Sequence, residues 1–509
     1  FDYTSILLSA VGLLEDDSGA PALRLLHEHV RDLRFVVVDE YQDVNPIQER
    51  LVRGLIQYGA NLCVVGDDDQ TIYQWRGSEV RNILTFADRY DGVEQVTLAD
   101  NFRSSRGVVD TGRQIASGIP AADRLAKSMA AAGHQRFERG DLLALGFDSP
   151  AAEAVWMCDR IEAMRGLAFT DDPDGAARGL SWSDFSVLFR SVANDAGDLV
   201  AEMRARGIPH VVKGLNRLFD SPEIQAVVAV FEYMVGQVDA VALRQQWEAA
   251  DLLPADGDFD AAVGVLDAGR DWDRGARWAI YNIQRLYLDF LEALGLREDT
   301  VPGDPVRAEL VFYQLGKFSQ AISDFEQIHF ASTPYDKYTQ FAKWLRHHAP
   351  DYYADADDDV GYARPDAVSI STVHQAKGMQ WPVVFIPCLR RNRFPSKRHG
   401  GLRLDHVIPP EAIPDFDRYL GQEADERRLF YVSVTRAQKW LFASFSPGKG
   451  RMYASRSDYF DELTRSSYVL TRDPGLPPGA ERLPPHARQE TPQVTLSFSE
   501  LKYLFECPY

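Results

Sequence analysis

Phe35–Val38 is an unbroken apolar run that stops at Asp39 and Glu40. A short apolar run bounded by charge predicts a buried parallel strand. Asn45-Pro46 then opens a helix. Asn45 supplies the cap, Pro46 suits the first turn, and Gln48 completes a capping box. Ile47, Leu51 and Leu55 share one face of that helix, and Gly59 ends it. Leu62–Val65 is the next strand, closing on Gly66 and three aspartates. Strand, helix and strand with polar groups at the carboxyl ends is how doubly wound sheets present ligand sites.

A second unit of the same kind starts near Gln95, with strands at Phe185–Phe189, Val368–Ser371, Val383–Ile386 and Leu441–Ser444. The pattern is interrupted between 236 and 362 by an aromatic-rich helical block without strand alternation. That block closes on an acidic run, Asp351 to Asp359, which reads as a solvated loop. Residues 471–492 hold six prolines and little apolar periodicity, the mark of a linker. The expected division is therefore 1–92, 93–235, 236–362 as an insertion, 363–470, the linker 471–492, and 493–509. The fold class is α/β.

Composition adds limits. With 45% apolar and 26% charged residues the chain is an ordinary globular sequence. No stretch approaches the roughly 18 apolar residues of a membrane span, and no secretory leader is visible. Cys63, Cys158, Cys388 and Cys507 lie far apart, which argues for a reducing cytoplasm rather than a disulfide scaffold. The net charge of −20 taken alone argues against a nucleic-acid binder, but it does not exclude a local basic track.

The chemistry concentrates at the two strand ends. In Asp39-Glu40-Tyr41-Gln42-Asp43, one carboxylate is placed to hold Mg²⁺ and its neighbour to activate a water for attack on a γ-phosphate. Two adjacent acids alone more often form a solvated turn; the full string with Pro46 and Gln48 behind it favours the nucleotide site. The second strand leads into Gly66-Asp67-Asp68-Asp69-Gln70 and then Thr71-Ile72-Tyr73-Gln74-Trp75-Arg76-Gly77. Gln70 is placed to sense the γ-phosphate. Tyr73, Trp75 and Arg76 interleave aromatic and basic groups, as base stacking and phosphate gripping require, although an aromatic pair alone is more often core.

Together these strings resemble motifs II and III of the UvrD/Rep/PcrA superfamily 1 helicases. Four further segments agree in order: Ala99 to Ser105 with motif IV, Lys213-Gly214 through Ile224 with the segment before the inserted domain, Thr372 to Met379 with motif V, and Glu426 to Ala437 with motif VI. The resemblance, covering residues 1 to about 465, implies two RecA-like P-loop NTPase lobes with a helical insertion in the second. It implies ATP-dependent 3′ to 5′ translocation or unwinding of DNA, single-stranded and duplex, in repair or recombination.

The resemblance also assigns residues. Asp39 would hold Mg²⁺, Glu40 would activate water and touch the metal, and Gln70 would report the γ-phosphate. Arg103 and Arg436 would be paired arginine fingers. Phe102, where the family usually has Tyr, would stack on adenine; Gly378 and Gln380 would line the nucleotide, Gln380 replacing a usual Glu. Tyr73, Trp75, Arg76, His374 and Lys377 would form the DNA track. No G-x-x-x-x-G-K-[ST] string is present. The expectation is that the phosphate loop lies upstream of Phe1, and that residues 1–509 by themselves do not hydrolyse ATP. The alternative is a non-catalytic DNA-binding subunit built on a degenerate helicase fold. Ser497 to Tyr509 resembles the opening of a PD-(D/E)xK nuclease domain, which would make Cys507 the first ligand of a 4Fe-4S cluster; a plain amphipathic helix ending at Cys-Pro is the other reading.

Overall fold

A computed structural model describes residues 3–16, 18, 20–74, 78, 80–212, 218–270, 283–303, 305–328, 334–349, 365–396, 408–412, 416, 422–448 and 450–487. The amino-terminal part contains helices α1 (Tyr3–Glu15), α2 (Pro21–Arg31) and α3 (Pro46–Ile56) and strands β1 (Phe35–Val38) and β2 (Asn61–Val64). The two strands pair in parallel, Phe35 opposite Asn61 and Val38 opposite Val64. Asn45 caps α3 through the expected box: its side chain accepts from Gln48 N while Gln48 returns an acceptor to Asn45 N. β1 is not buried on both faces, as its unbroken apolar run predicts. Phe35 and Val37 are 75% and 69% exposed, because the described helices cover only the other face.

The second lobe is a seven-stranded parallel sheet. Its strands are β3 (Leu142–Gly146), β4 (Phe185–Phe189), β5 (His210–Val212), β6 (Val368–Thr372), β7 (Trp381–Ile386), β8 (Ala437–Phe445) and β9 (Val469–Leu470), in the order β9-β3-β8-β7-β4-β6-β5. Alternate side chains feed two cores. Leu142, Ala144, Leu441 and Ala443 pack with Val108 and Ile115 of α4 (Arg106–Ala116). Leu143, Leu145 and Phe442 pack on the other face with Met157 and Ile161 of α5 (Pro150–Met164). Covered on both faces, such strands carry continuous apolar runs, which is why four of them were legible.

β5 and β6 are neighbours in the sheet, yet the chain between them builds a separate helical body. Its core is aromatic, centred on Trp247, Phe231, Phe290, Phe318 and Phe341, all fully buried. The Pro-rich stretch lies against the second lobe in its described part, through residue 487. Asp473 accepts from Trp156 Nε1 at 2.9 Å and pairs with Arg160, and Leu483 N bonds Gly166 O at 2.8 Å. Gly179 is required there, since a Cβ would sit 2.3 Å from the Leu483 carbonyl oxygen. Prolines lack donors, but their segment still docks through its remaining N–H and carbonyl groups and its side chains.

Asp141, at the entry to β3, is buried and accepts from Glu138 N at 2.7 Å. Burial pushes its carboxyl up to about 7, against the pull of Lys439. A carboxyl raised on folding contributes stability below its unfolded pKa and loses it as pH rises through the folded value. Stability should thus fall between about pH 4 and pH 7 through this group. Asp141→Asn keeps the acceptor and should raise the melting temperature at pH 8 with little effect at pH 4. Thermal unfolding at the two pH values checks it.

Candidate functional site

The first half of the site grows from the end of β1. Glu40 takes a left-handed conformation, φ +47°, uncommon for a residue with a side chain. This turn brings Glu40 N to Asp39 Oδ1 at 2.8 Å and leaves both carboxylates accessible. Gln42, itself buried, donates from Nε2 to Glu40 Oε2 and accepts from Asp67 N at 3.0 Å. Gly66 is necessary for this approach: a Cβ there would lie 2.5 Å from Gln42 Oε1. Asp67 in turn accepts from Gln70 Nε2 at 2.7 Å. The two strand-end strings, separated by a helix in sequence, are one hydrogen-bonded unit in space.

The second half comes from the start of β8. Arg436 is 1% exposed and donates to Val432 O at 3.1 Å, Met379 O at 3.0 Å and Gln70 Oε1 at 3.4 Å. Gly378, with φ +80°, allows the turn that presents the Met379 carbonyl. Burial, and after it the like charge of Arg103, brings the Arg436 guanidinium down to about 10. Burial also lowers Arg103, while Tyr431 and Glu40 act in the opposite direction. Arg103 is tied to the same strand: Asn101 Oδ1 accepts from Arg103 N and Ser104 N, Ser104 Oγ donates to Ala437 O at 2.7 Å, and Ser105 N donates to Gln438 O at 2.8 Å. Two desolvated guanidinium groups therefore lie within electrostatic reach of the accessible Glu40 carboxylate across the lobe boundary. Such a place favours a ligand that is anionic toward the arginines and carries a metal toward the acids.

The structure brings Glu40, Gln70, Arg103 and Arg436 together as the sequence anticipates. Phe102 stands beside Arg103 with 69% of its surface exposed, a free ring face. Gln380 lies half-buried between Met379 and β7. Tyr73 donates its hydroxyl to His374 O at 3.0 Å, with the two rings 6.5 Å apart. Lys377, expected on a DNA track, stands over the Tyr73 ring but pairs with Asp43 and lies 3.5 Å from Glu40. One cation thus joins the aromatic track to the acidic turn. Trp75, Arg76 and the segment 493–509 with Cys507 lie outside the described residues, as does Lys213-Gly214. Sequence reasoning missed Lys127 and Arg124, which contact Asp67 to Asp69 from the second lobe. Their only signal was a lysine and an arginine in an otherwise unremarked loop.

Lys377 is 6% exposed and its removal leaves Asp43, whose carboxyl burial already pushes up, without a cation. Lys377→Met should cost about 3 kcal/mol, the usual effect of breaking a buried pair from one side. Adding Asp43→Asn should restore much of it. Urea unfolding of the single and double variants checks the pair.

Comparison with known proteins finds two family domains along the chain. Residues 1–91 match the UvrD/REP helicase N-terminal domain, and residues 96–251 with 307–447 match the UvrD-like helicase C-terminal domain. The ATP-dependent DNA helicase PcrA of Leuconostoc citreum is 25% identical over 93% of this chain and 62% of its own length. DNA helicase II of Haemophilus influenzae is 24% identical over 91% of this chain and 62% of its own. PcrA of Bacillus subtilis is 24% identical over 87% and 59%. The chain spans about three fifths of the length of these relatives. With both domain models matched in order, and the site straddling the boundary between them, the chain belongs to the UvrD-like helicase family.

Proposed function

We propose that the chain carries the hydrolysis and DNA-gripping groups of an ATP-driven helicase that moves 3′ to 5′ along one DNA strand. The observation that carries this reading is the gathering of Glu40, Gln70, Arg103 and Arg436 in one cleft, the last joined to Gln70 across the lobe boundary. Glu40 orients the attacking water and accepts its proton, Gln70 reads the γ-phosphate, and the two arginines stabilise charge on the transferred phosphoryl oxygens. Phe102 offers a stacking face for the base. Closing and opening of the cleft moves Tyr73, His374 and Lys377, with Trp75 and Arg76, along the strand.

Asp39 and Glu40 suit Mg²⁺, being accessible hard oxygen donors at a strand end. Mg²⁺ there would neutralise phosphate charge. The exposed apolar face of Phe35 and Val37 on β1 supports a seat for further parallel strands bearing a phosphate loop. No helix among the described residues is long and apolar enough to cross a membrane, and a cytoplasmic repair or recombination role is part of the proposal. The nuclease opening and the iron–sulfur role of Cys507 rest on the sequence string alone.

In the full natural protein, Glu40→Gln should keep nucleotide binding and lose turnover. Arg436→Ala should cut DNA-stimulated ATPase activity about 10³-fold or more. Steady-state turnover with and without single-stranded DNA is the measurement. Near-normal turnover in Glu40→Gln would contradict the assigned chemistry, and a parent without any turnover would favour a DNA-binding scaffold.

A further inference from the structure

Among the described residues, a dense charge cluster joins the acids of motif III to two cations from outside the motifs. Asp67, Asp68 and Asp69 belong to the segment matched by the amino-terminal domain; Arg124 and Lys127 belong to the other. Lys127 Nζ pairs with Asp67, lies 2.6 Å from Asp68 Oδ1 and 3.0 Å from Asp69 Oδ2. Arg124 holds Asp69 with two nitrogens, at 2.8 and 2.9 Å. Leu125 N donates to Asp68 Oδ2 at 2.9 Å, and Arg428 donates to Asp68 O at 3.1 Å. Burial alone would lower the Lys127 ammonium, but the three carboxylates push it up to about 12, so it stays charged.

The two cations share Asp69, but of the two only Lys127 pairs with Asp67. Asp69 donates its N–H to Asp67 Oδ1 at 3.1 Å, while its carboxylate is taken up by Arg124 and Lys127 rather than by Glu40, Gln70, Arg103 or Arg436. Asp67, gripped by Lys127, is the common root of two branches. Through its carboxylate it fixes Gln70, which meets Arg436. Through its backbone N–H it fixes Gln42, which meets Glu40. A shift of Asp67 therefore moves the base and the γ-phosphate sensor together. We infer that Lys127 is a positioning residue for hydrolysis, setting Glu40 and Gln70 from the opposite lobe through Asp67. The inference rests on the proposed ATPase function. It assigns the loop between α4 and β3 a part in coupling lobe closure to chemistry, whereas Arg124 only holds the lobes together.

The test compares Lys127→Met, Lys127→Arg, Arg124→Met and Asp67→Asn in the full natural protein, by DNA-stimulated ATP turnover and thermal unfolding. Both Met variants should lower the melting temperature, since each takes a cation from a buried carboxylate. Only Lys127→Met should also lower kcat, about 10- to 100-fold, the effect of a misplaced catalytic group, with KM for ATP little changed. Lys127→Arg should recover much of the loss. Asp67→Asn keeps an oxygen for Gln70 without the charge; it should lower kcat in the same way and covers the case in which Lys127→Met does not fold. Equal kcat losses from Lys127→Met and Arg124→Met would make the cluster an adhesive joint and overturn the inference. An active parent with unimpaired Lys127→Met and Asp67→Asn would overturn it alone. A parent without DNA-stimulated turnover would overturn the proposed function and this inference with it.

Discussion

Arg436 keeps a charged guanidinium where water scarcely reaches, beside a second arginine that repels it. Burying like charges is costly unless oxygen acceptors and an anion offset it. The fold supplies the acceptors: a helix carbonyl, the Met379 carbonyl released by a glycine turn, and the Gln70 amide of the other lobe. The anion is left to the ligand. This constraint explains why motifs IV, V and VI converge on the first residues of β8, and why motif III has to reach them across the boundary.

The contacts between lobes divide into three kinds. Gln70 with Arg436 joins the two sides of the proposed nucleotide cleft. Lys377 with Asp43 and Glu40 ties the acidic turn to the Tyr73 ring, so a strand on the proposed DNA track would compete with the acids for one cation. The Asp67 to Asp69 cluster with Lys127 and Arg124 is a joint of several charges, connected to Gln70 through Asp67. A motor that converts cleft closure into movement needs all three: a sensor, a link to the track, and a joint that keeps the sensor in register while the lobes turn.

Much of this was legible in the sequence because its causes are local. The capping box at Asn45, the apolar strand Phe185–Phe189 and the acids closing β1 are written in adjacent residues. β3 was not legible as a strand: Leu142–Gly146 is an apolar run between acids, but its leucines and alanine suit a helix as well and no β-branched residue marks a strand. β5 and β9, of three and two residues, are too short to show a period. The site's tips, Glu40, Gln70, Arg103 and Arg436, were found by motif. Their supports were not, because Lys127 meets Asp67 sixty residues away and no spacing rule announces it. The exposure of Phe35 and Val37 was equally hidden: an apolar run shows that a strand wants cover, not which segment covers it.

The central claim is that the paired arginines exist to meet the terminal phosphate of a nucleotide. Calorimetric titration of the full natural protein with a Mg²⁺-bound non-hydrolysable ATP analogue and with Mg²⁺-bound ADP tests it directly. The parent should bind the triphosphate more tightly, and the margin should vanish in the Arg103→Gln, Arg436→Gln double variant, while ADP affinity stays near that of the parent. A margin that survives removal of both guanidinium groups would contradict the account.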